Sequence, residues 1–119
     1  MTNDEMAQEY FQRAVKLLEG TDDVREMSRL STIYGEYMSF YINRNRMAEA
    51  IEIGYRRETV IQRMSGLPGP PPGYIDQQYG FLYAKMAVLL HDEVRKKRQQ
   101  KYSGNTNLPL FENSYRQTV

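Results

Sequence analysis

Apolar residues in this chain recur at intervals of three and four positions, and no segment shows the alternation of a half-buried β-strand. Intervals of three and four place side chains on one face of an α-helix. Four such segments follow one another, separated by polar or proline-rich stretches. The pattern predicts an all-α fold, an antiparallel bundle of about four helices.

The first helix is predicted from about residue 4 to about residue 19. Asp4 and Glu5 fall in its first turn, where the positive end of the helix dipole favours acidic side chains. Gly20 can adopt the left-handed conformation that often ends a helix. The expected apolar face consists of Met6, Tyr10, Phe11, Ala14, Leu17 and Leu18.

The second helix is predicted from about residue 24 to about residue 43. Asp23 can cap its first turn by accepting a backbone hydrogen bond, and Glu26, three residues later, can reach back in a capping box. The expected apolar face consists of Met27, Leu30, Tyr34, Tyr37, Met38 and Tyr41, with Ile33 and Phe40 widening it.

A third helix is predicted to follow a short turn containing Asn43 and Asn45, and to end at Ser65 and Gly66. Its apolar face consists of Met47, Ala50, Ile51, Gly54, Ile61 and Met64. So short a connection predicts an antiparallel hairpin of the second and third helices. The tyrosines of the second helix would then face Ala50 and Gly54, whose small side chains leave room for aromatic rings.

The segment 66–74 contains four of the five prolines and predicts a stiff, extended linker. A fourth helix should begin after it, with Asp76 as a candidate cap and with the apolar face Ile75, Tyr79, Leu82, Tyr83, Met86, Leu89 and Leu90. Its basic last turns have almost nothing to bury and should project into solvent. We expect one helical domain over residues 1–102 and a flexible tail over residues 103–119, in which Leu108, Leu110 and Phe111 form a short apolar segment.

A chain of 119 residues fits a single domain with a modest core. It contains no cysteine, which excludes a disulfide framework and a thiolate metal site. No apolar run approaches the roughly 18 residues that a membrane span requires, and the first ten residues are acidic and polar where a secretory signal would be basic and apolar. These features favour a soluble, cytoplasmic protein without a membrane partner.

Charge is unevenly distributed, although the net charge is only +1. Residues 1–26 carry seven acids and three bases, whereas residues 75–119 carry seven bases and four acids. Five of those bases lie between residues 95 and 101. The two ends of the chain should therefore attract each other or attract different partners.

Residues 31–64 resemble a tetratricopeptide repeat, a helix-turn-helix unit of about 34 residues. Tyr34, Tyr37 and Tyr41 stand where that family has large residues, and Ala50 in NRMAEAI stands at its small position. Met38, Arg57 and Gln62 depart from the pattern, at positions where the family has a small residue, an alanine and a proline. The resemblance implies a protein-interaction scaffold without catalytic activity.

The tyrosines allow two interpretations. They can pack inside the hairpin, with hydroxyls reaching its edge, or they can form a surface that stacks on a partner. Their shared face with Leu30 and Met38 favours packing, although some rings can still line a groove for a partner helix or peptide. The candidate partner-binding residues are Tyr34, Tyr37, Tyr41 and Tyr55.

The basic end of the fourth helix supports a different function, contact with the phosphate backbone of a nucleic acid. Its alternative is a solvated helix end that keeps the protein soluble. The candidate polyanion-binding residues are Arg44, Arg46, Arg95, Lys96, Lys97, Arg98 and Lys101.

Enzyme chemistry has little support. His91 is the only histidine, and the sequence contains no phosphate-binding glycine loop, no serine elbow and no metal-ligand cluster. Asp22 and Asp23 are explained by helix capping. We therefore expect a non-enzymatic adaptor, chaperone-like or assembly module without cofactor or metal. Because seven methionines and ten tyrosines suit an adaptable interface, we expect a homodimer, with nucleic-acid binding as the alternative function.

Overall fold

The computed structural model describes residues 1–103, with side chains as far as residue 100. The predicted tail covers residues 103–119, and all of it after Ser103, including its apolar segment, lies outside the described residues. Four helices follow in chain order: α1 Asn3–Leu18, α2 Val24–Asn43, α3 Met47–Ser65 and α4 Tyr74–Ser103. The all-α fold predicted from the apolar periodicity is confirmed.

The helices form a flat array, and the described chain measures 56 × 41 × 18 Å. Packing follows chain order, since α2 packs against α1 and α3, and α3 packs against α2 and α4. The inner helices α2 and α3 are therefore covered on two sides, whereas α1 and α4 form the edges. Among the helices between residues 1 and 103, none combines the length and the apolar character needed to cross a membrane.

Helix α1 begins with a capping box that was not predicted. The Thr2 hydroxyl accepts a hydrogen bond from the Glu5 amide at 3.1 Å, and the Glu5 carboxylate accepts one from the Thr2 amide at 3.4 Å. A threonine followed three residues later by a glutamate is the sequence signature of this cap. At the other end, Gly20 has a φ of 86°, as predicted.

The predicted apolar face of α1 is partly wrong. Met6, Tyr10 and Leu17 are 41%, 61% and 83% exposed, whereas Val15, which was not predicted, is the buried residue of this helix. Ala7, Phe11 and Leu18 pack beside it. The buried face is narrow because α1, at the edge of the array, packs mainly on a single helix.

Helix α2 begins at Val24 and is capped as predicted by Asp23, whose carboxylate accepts hydrogen bonds from the amides of Arg25 and Glu26 at 2.8 and 3.2 Å. The predicted capping box is wrong. The Glu26 carboxylate accepts instead from the Thr21 hydroxyl at 2.7 Å, and that hydroxyl accepts from the Asp23 amide at 3.1 Å. Thr21 thus takes the amide that Glu26 was expected to satisfy.

The face predicted for α2 is buried throughout. Its position between α1 and α3 explains why this apolar face is wide, about 160° around the helix at 100° per residue. The buried apolar residues of α2 are Met27, Leu30, Tyr34, Tyr37, Met38, Phe40 and Tyr41, with Ile33 half-buried.

The turn after α2 returns the chain into α3, which forms the predicted antiparallel hairpin. Asn45 adopts a φ of 58°, and the Arg46 amide donates to the Tyr41 carbonyl at 2.9 Å. The role expected for Gly54 needs correction. A Cβ atom there would overlap Sδ of Met86 and lie 3.1 Å from Cε of Met38, so Gly54 makes room for two methionines rather than for tyrosine rings.

Helix α4 begins earlier than its expected cap. Because the Gln77 amide donates to the Gly73 carbonyl at 3.0 Å, the helix starts at Tyr74, and Asp76 lies within its first turn instead of capping it. The core-facing residues are Leu82, Met86 and Leu89. Tyr83 and Leu90, which were predicted to share this face, are 50% and 40% exposed. Like α1, α4 packs mainly on one neighbour and buries a narrow face.

Candidate interaction surfaces

The tyrosines of α2 belong to the core. Tyr34, Tyr37 and Tyr41 are only 4%, 5% and 5% exposed. The Tyr37 ring stacks on Phe11 of α1 with a centroid distance of 4.8 Å and on Tyr41 at 4.9 Å. Of the four tyrosines proposed to bind a partner, Tyr55 alone has a largely accessible ring, 52% exposed.

The buried hydroxyls of two of these tyrosines satisfy each other. The hydroxyl groups of Tyr37 and Tyr41 lie 3.0 Å apart, and Nε2 of Gln8 donates to the Tyr41 hydroxyl at 3.2 Å. Burial, followed by the hydrogen bond with Tyr37, raises the pKa of Tyr41 far above its usual range. Burial also raises the pKa of Tyr34. These side chains stay neutral and act as packing groups.

A cleft of about 330 Å³ opens above this pair, between α1 and α3. Tyr37 and Tyr41 contribute to its wall, together with Val15 and Ile53. Charged side chains of both signs surround it: Lys16, Glu19, Glu49, Glu52 and Arg56. Arg56 already pairs with Glu52 at 3.1 Å, so the cleft does not select a ligand of one charge.

The outer side of α4 carries an exposed apolar row, which we call the α4 stripe: Tyr83, Ala87, Leu90 and Val94. Tyr83, Leu90 and Val94 are 50%, 40% and 46% exposed. Their spacing of four, three and four residues places them along one line of the helix. Tyr83 stacks on Tyr79 at 5.4 Å, and a hydrogen bond to Glu58 on α3 raises the pKa of Tyr83. The contact with Glu58 of α3 thus holds Tyr83 at one end of the α4 stripe, while the stripe itself is open to solvent.

The same helix exposes a second apolar pair on a different side. Phe81 and Val88 are 58% and 63% exposed. At 100° per residue, Val88 lies about 130° around the helix from the α4 stripe. Apolar groups on nearly every side explain why α4 has little amphipathic character, a property typical of helices that are covered by a partner.

The structure brings two groups of the predicted basic residues together. Nζ of Lys96, near the end of α4, donates to Oδ1 of Asn45 in the hairpin turn at 2.8 Å. The turn also carries Arg44 and Arg46, which lie 3.8 Å over the Phe40 ring and 4.7 Å over the Tyr41 ring.

Acidic neighbours offset part of this positive charge. Arg44 pairs with Asp4 at 2.7 Å, which holds the pKa of that carboxyl below its usual value, and Arg46 pairs with Glu49 at 3.2 Å. Arg95 approaches Asp92 at 4.0 Å. Lys97 and Arg98 extend along the last turns of α4, and the side chain of Lys101 lies beyond the described side chains.

Arg57 is a buried residue whose role the sequence interpretation missed. It lies on α3 and is only 9% exposed. Its side chain contacts Ser31 and Gly35 on α2 and Gln78 on α4. The sequence did contain a signal of this role. Arg57 lies seven residues after Ala50 and four before Ile61, which places a charged residue on the face predicted to be buried. This guanidinium lies at a cleft of about 650 Å³ that crosses α2 and is lined by residues of α1 on one side and α4 on the other, which we call the Arg57 cleft.

Neither a metal centre nor a family assignment emerges from the described residues. His91 has a side chain 77% exposed, 3.9 Å from Asp92. Between residues 1 and 103, no group of three or more histidine, aspartate or glutamate side chains is arranged to hold a metal ion. Compared with protein-family models, with curated proteins and with solved structures, the chain matches none.

Proposed function

We propose that the protein is a non-enzymatic protein-interaction module, cytoplasmic as expected from its sequence, and that the α4 stripe is its interaction surface. The observation that carries the proposal is the row of large apolar side chains left open on an edge helix, since water-exposed apolar rows on folded proteins commonly mark interfaces. The resemblance of residues 31–64 to a tetratricopeptide repeat supports the same class of function.

A second copy of this chain is the partner that best fits the α4 stripe. Two copies of α4 packed antiparallel across a two-fold axis near Ala87 would place Ala87 against its own equivalent. Tyr83 would then face Leu90 of the second copy, and Gly80 would face Val94. Gly80 would thus leave room for Val94, and the alanine at the centre of the seam allows the helices to approach closely.

Charge complementarity sets the direction of this pairing. Asp76 lies eleven residues before Ala87, and Lys97 lies ten residues after it, on the same line of the helix. Antiparallel packing brings Asp76 of each copy next to Lys97 of the other, whereas parallel packing would set like charges side by side. The two ends of the stripe are therefore complementary in charge.

Sedimentation equilibrium over a range of protein concentrations tests the proposal. Val94→Glu, on the stripe, should shift the protein to monomer, because two carboxylates would be buried in the seam. Val88→Glu is the matched control, since it places the same side chain on the same helix but outside the stripe. A wild-type chain that stays monomeric at all concentrations, or two variants with equal effects, would contradict the proposal.

A second candidate function is contact with a polyanion through the hairpin turn and the end of α4. The observation in its favour is the hydrogen bond from Lys96 to Asn45, which joins the two basic groups into one surface. Binding to a labelled single-stranded oligonucleotide should weaken as salt rises and should fall in Lys97→Gln. Lys16→Gln, which removes the same charge from α1, should bind as the wild type does.

A further inference from the structure

The Arg57 cleft contains a buried cation that forms no ion pair with a carboxylate among the described residues. Nε of Arg57 donates to the Ser31 hydroxyl at 3.2 Å, and Nη2 donates to Oε1 of Gln78 at 3.4 Å. Both acceptors are uncharged. Nη1 lies over Gly35 and makes no hydrogen bond within the described part of the chain. The guanidinium thus retains donors on Nη1 that no described acceptor satisfies.

A second cation lines the same cleft. Nζ of Lys85 on α4 donates to the Ser39 hydroxyl at 3.2 Å, and that hydroxyl donates to the Gly35 carbonyl at 3.2 Å. Burial lowers the pKa of both cations, and the charge of Arg57 lowers that of Lys85 further. Two cations that disfavour each other in one half-buried space create a positive potential there.

Among residues 1–100, acidic side chains offset little of this potential. Neither Arg57 nor Lys85 forms an ion pair with a described carboxylate, and the one acidic residue of the cleft wall, Glu36, is exposed at its edge. Burying a cation without a counter-charge costs free energy. An anion bound between the two groups would recover part of that cost.

The two cations contact neighbouring turns of α2, an arrangement that suits a compact oxyanion. Gly35, under Nη1, and Ser39, at Nζ of Lys85, are one helical turn apart, a rise of about 6 Å along α2. Charge-assisted hydrogen bonds from nitrogen to oxygen measure about 2.8 Å, so a tetrahedral group centred between the cations can accept from both. Thr32 and Asn43 add polar groups to the same cleft wall.

We propose that the Arg57 cleft is a binding site for a phosphate group, held by Nη1 of Arg57 and Nζ of Lys85. The site is independent of the α4 stripe, because it lies on the side of α4 that faces α2. Its ligand class is a phosphate, free or as a monoester, and two converging cations favour its double negative charge over the single charge of a carboxylate.

Chemical-shift titration of the ¹⁵N-labelled full-length protein tests the site, with inorganic phosphate as the probe and sodium chloride added to keep ionic strength constant. The amide signals of Gly35 and Ser39 and the Nε signal of Arg57 should move saturably. Sodium acetate, titrated in parallel, should bind more weakly. Equal or tighter binding of acetate would overturn the assignment to phosphate, and absence of saturable shifts at the cleft would overturn the site.

Two variants and a control separate binding from folding. Lys85→Gln should keep the fold and weaken phosphate binding about tenfold, the effect of losing one charge-assisted hydrogen bond. Arg57→Met retains side-chain length and should abolish the shifts. Lys16→Gln, beside the acidic residues of the other cleft, should bind phosphate as the wild type does. If Arg57→Met fails to fold, Lys85→Gln decides, and unchanged affinity in that variant would refute the proposal.

Discussion

The guanidinium of Arg57 on α3 lies across Gly35 on α2, so closely that a Cβ atom at residue 35 would sit 2.8 Å from Nη1 and 3.2 Å from Cζ. Glycine in a helix interior costs roughly 1 kcal/mol relative to alanine. Because a side chain at residue 35 would collide with the guanidinium, glycine at this position lets the buried Arg57 reach Ser31 and the Arg57 cleft.

Replacing Gly35 by alanine should move the guanidinium away from its position without unfolding the protein. The better helix propensity of alanine, worth up to about 1 kcal/mol, offsets the displacement of a flexible side-chain end. We expect the free energy of unfolding, measured by urea denaturation, to change little. The affinity for phosphate, measured by the chemical-shift titration described above, should fall. Phosphate affinity that is unchanged in this variant would show that the position of the guanidinium does not matter.

Gly54→Ala and Gly80→Ala should have opposite effects on stability. At Gly54 a methyl group would overlap Sδ of Met86 in the core, so we expect a loss of about 1–3 kcal/mol. At Gly80 no atom lies within 4 Å of the position of a Cβ, so alanine should stabilise α4 by up to about 1 kcal/mol. Urea denaturation measures both. A neutral Gly54→Ala would contradict the packing described between α3 and α4, and a destabilised Gly80→Ala would contradict the open space around Gly80.

The buried face of α2 could be predicted from the sequence, whereas the other helices were predicted only in part. On α3, Ile53 and Val60 are buried although neither was predicted to be. On α2, between two helices, nearly every apolar residue is buried, so periodicity alone located Leu30, Met38 and Tyr41 correctly. On α1 and α4 the same periodicity also counted Leu17 and Leu90, which are exposed. A sequence pattern shows which side chains are apolar, but the number of neighbouring helices that cover them is a tertiary property.

Part of the candidate sites depended on packing that no pattern shows. The position of Arg57 on a buried face was readable, but its neutral acceptors and its proximity to Lys85 require the docking of α4 on α3. Likewise, the meeting of Lys96 with Asn45 depends on the length and direction of α4. The basic residues themselves, by contrast, were evident from composition.

Tyr37→Ala should destabilise the protein by about 3 kcal/mol or more, because a 5% exposed ring that stacks on Phe11 and Tyr41 leaves a cavity. Tyr10→Ala is the matched control, since the Tyr10 ring is 61% exposed on α1, and its effect should stay within about 0.5 kcal/mol. Both are measured by urea denaturation. Equal small effects would indicate that Tyr37 belongs to a binding surface instead of the core.

Stability should fall as pH rises above about 10, the pKa of an unfolded tyrosine. Burial raises the pKa of Tyr34 and Tyr41 in the folded protein, so above this pH the unfolded chain releases protons that the folded chain retains. Each tyrosine then lowers the free energy of unfolding by at most about 1.4 kcal/mol per pH unit, until the tyrosine of the folded protein also ionises. Denaturation of the wild type and of Tyr41→Phe between pH 9 and about 11 measures the slope, which should be shallower in the variant. Equal slopes would show that Tyr41 does not contribute.

Exchanging the charges at the two ends of the α4 stripe tests the antiparallel pairing directly. Asp76→Lys and Lys97→Glu should each weaken self-association, because like charges then meet across the seam at two symmetric places. The double variant restores opposite charges and should recover most of the dimer. Exposed pairs contribute roughly 0.2–1 kcal/mol each, so we expect single-variant dissociation constants to rise several-fold at low salt and to converge with the wild type at high salt. Sedimentation equilibrium measures all four chains.

Asp76→Lys also places a cation in the first turn of α4, where the helix dipole disfavours it by about 0.3–1 kcal/mol. The double variant retains that cost, so recovery of the dimer in the double variant reports the contact between residues 76 and 97 and not the stability of the helix. If the two single effects simply add in the double variant, these residues do not meet, and the two copies associate through a different register or face. Val94→Glu then distinguishes these cases, because a dimer that survives it does not use the α4 stripe.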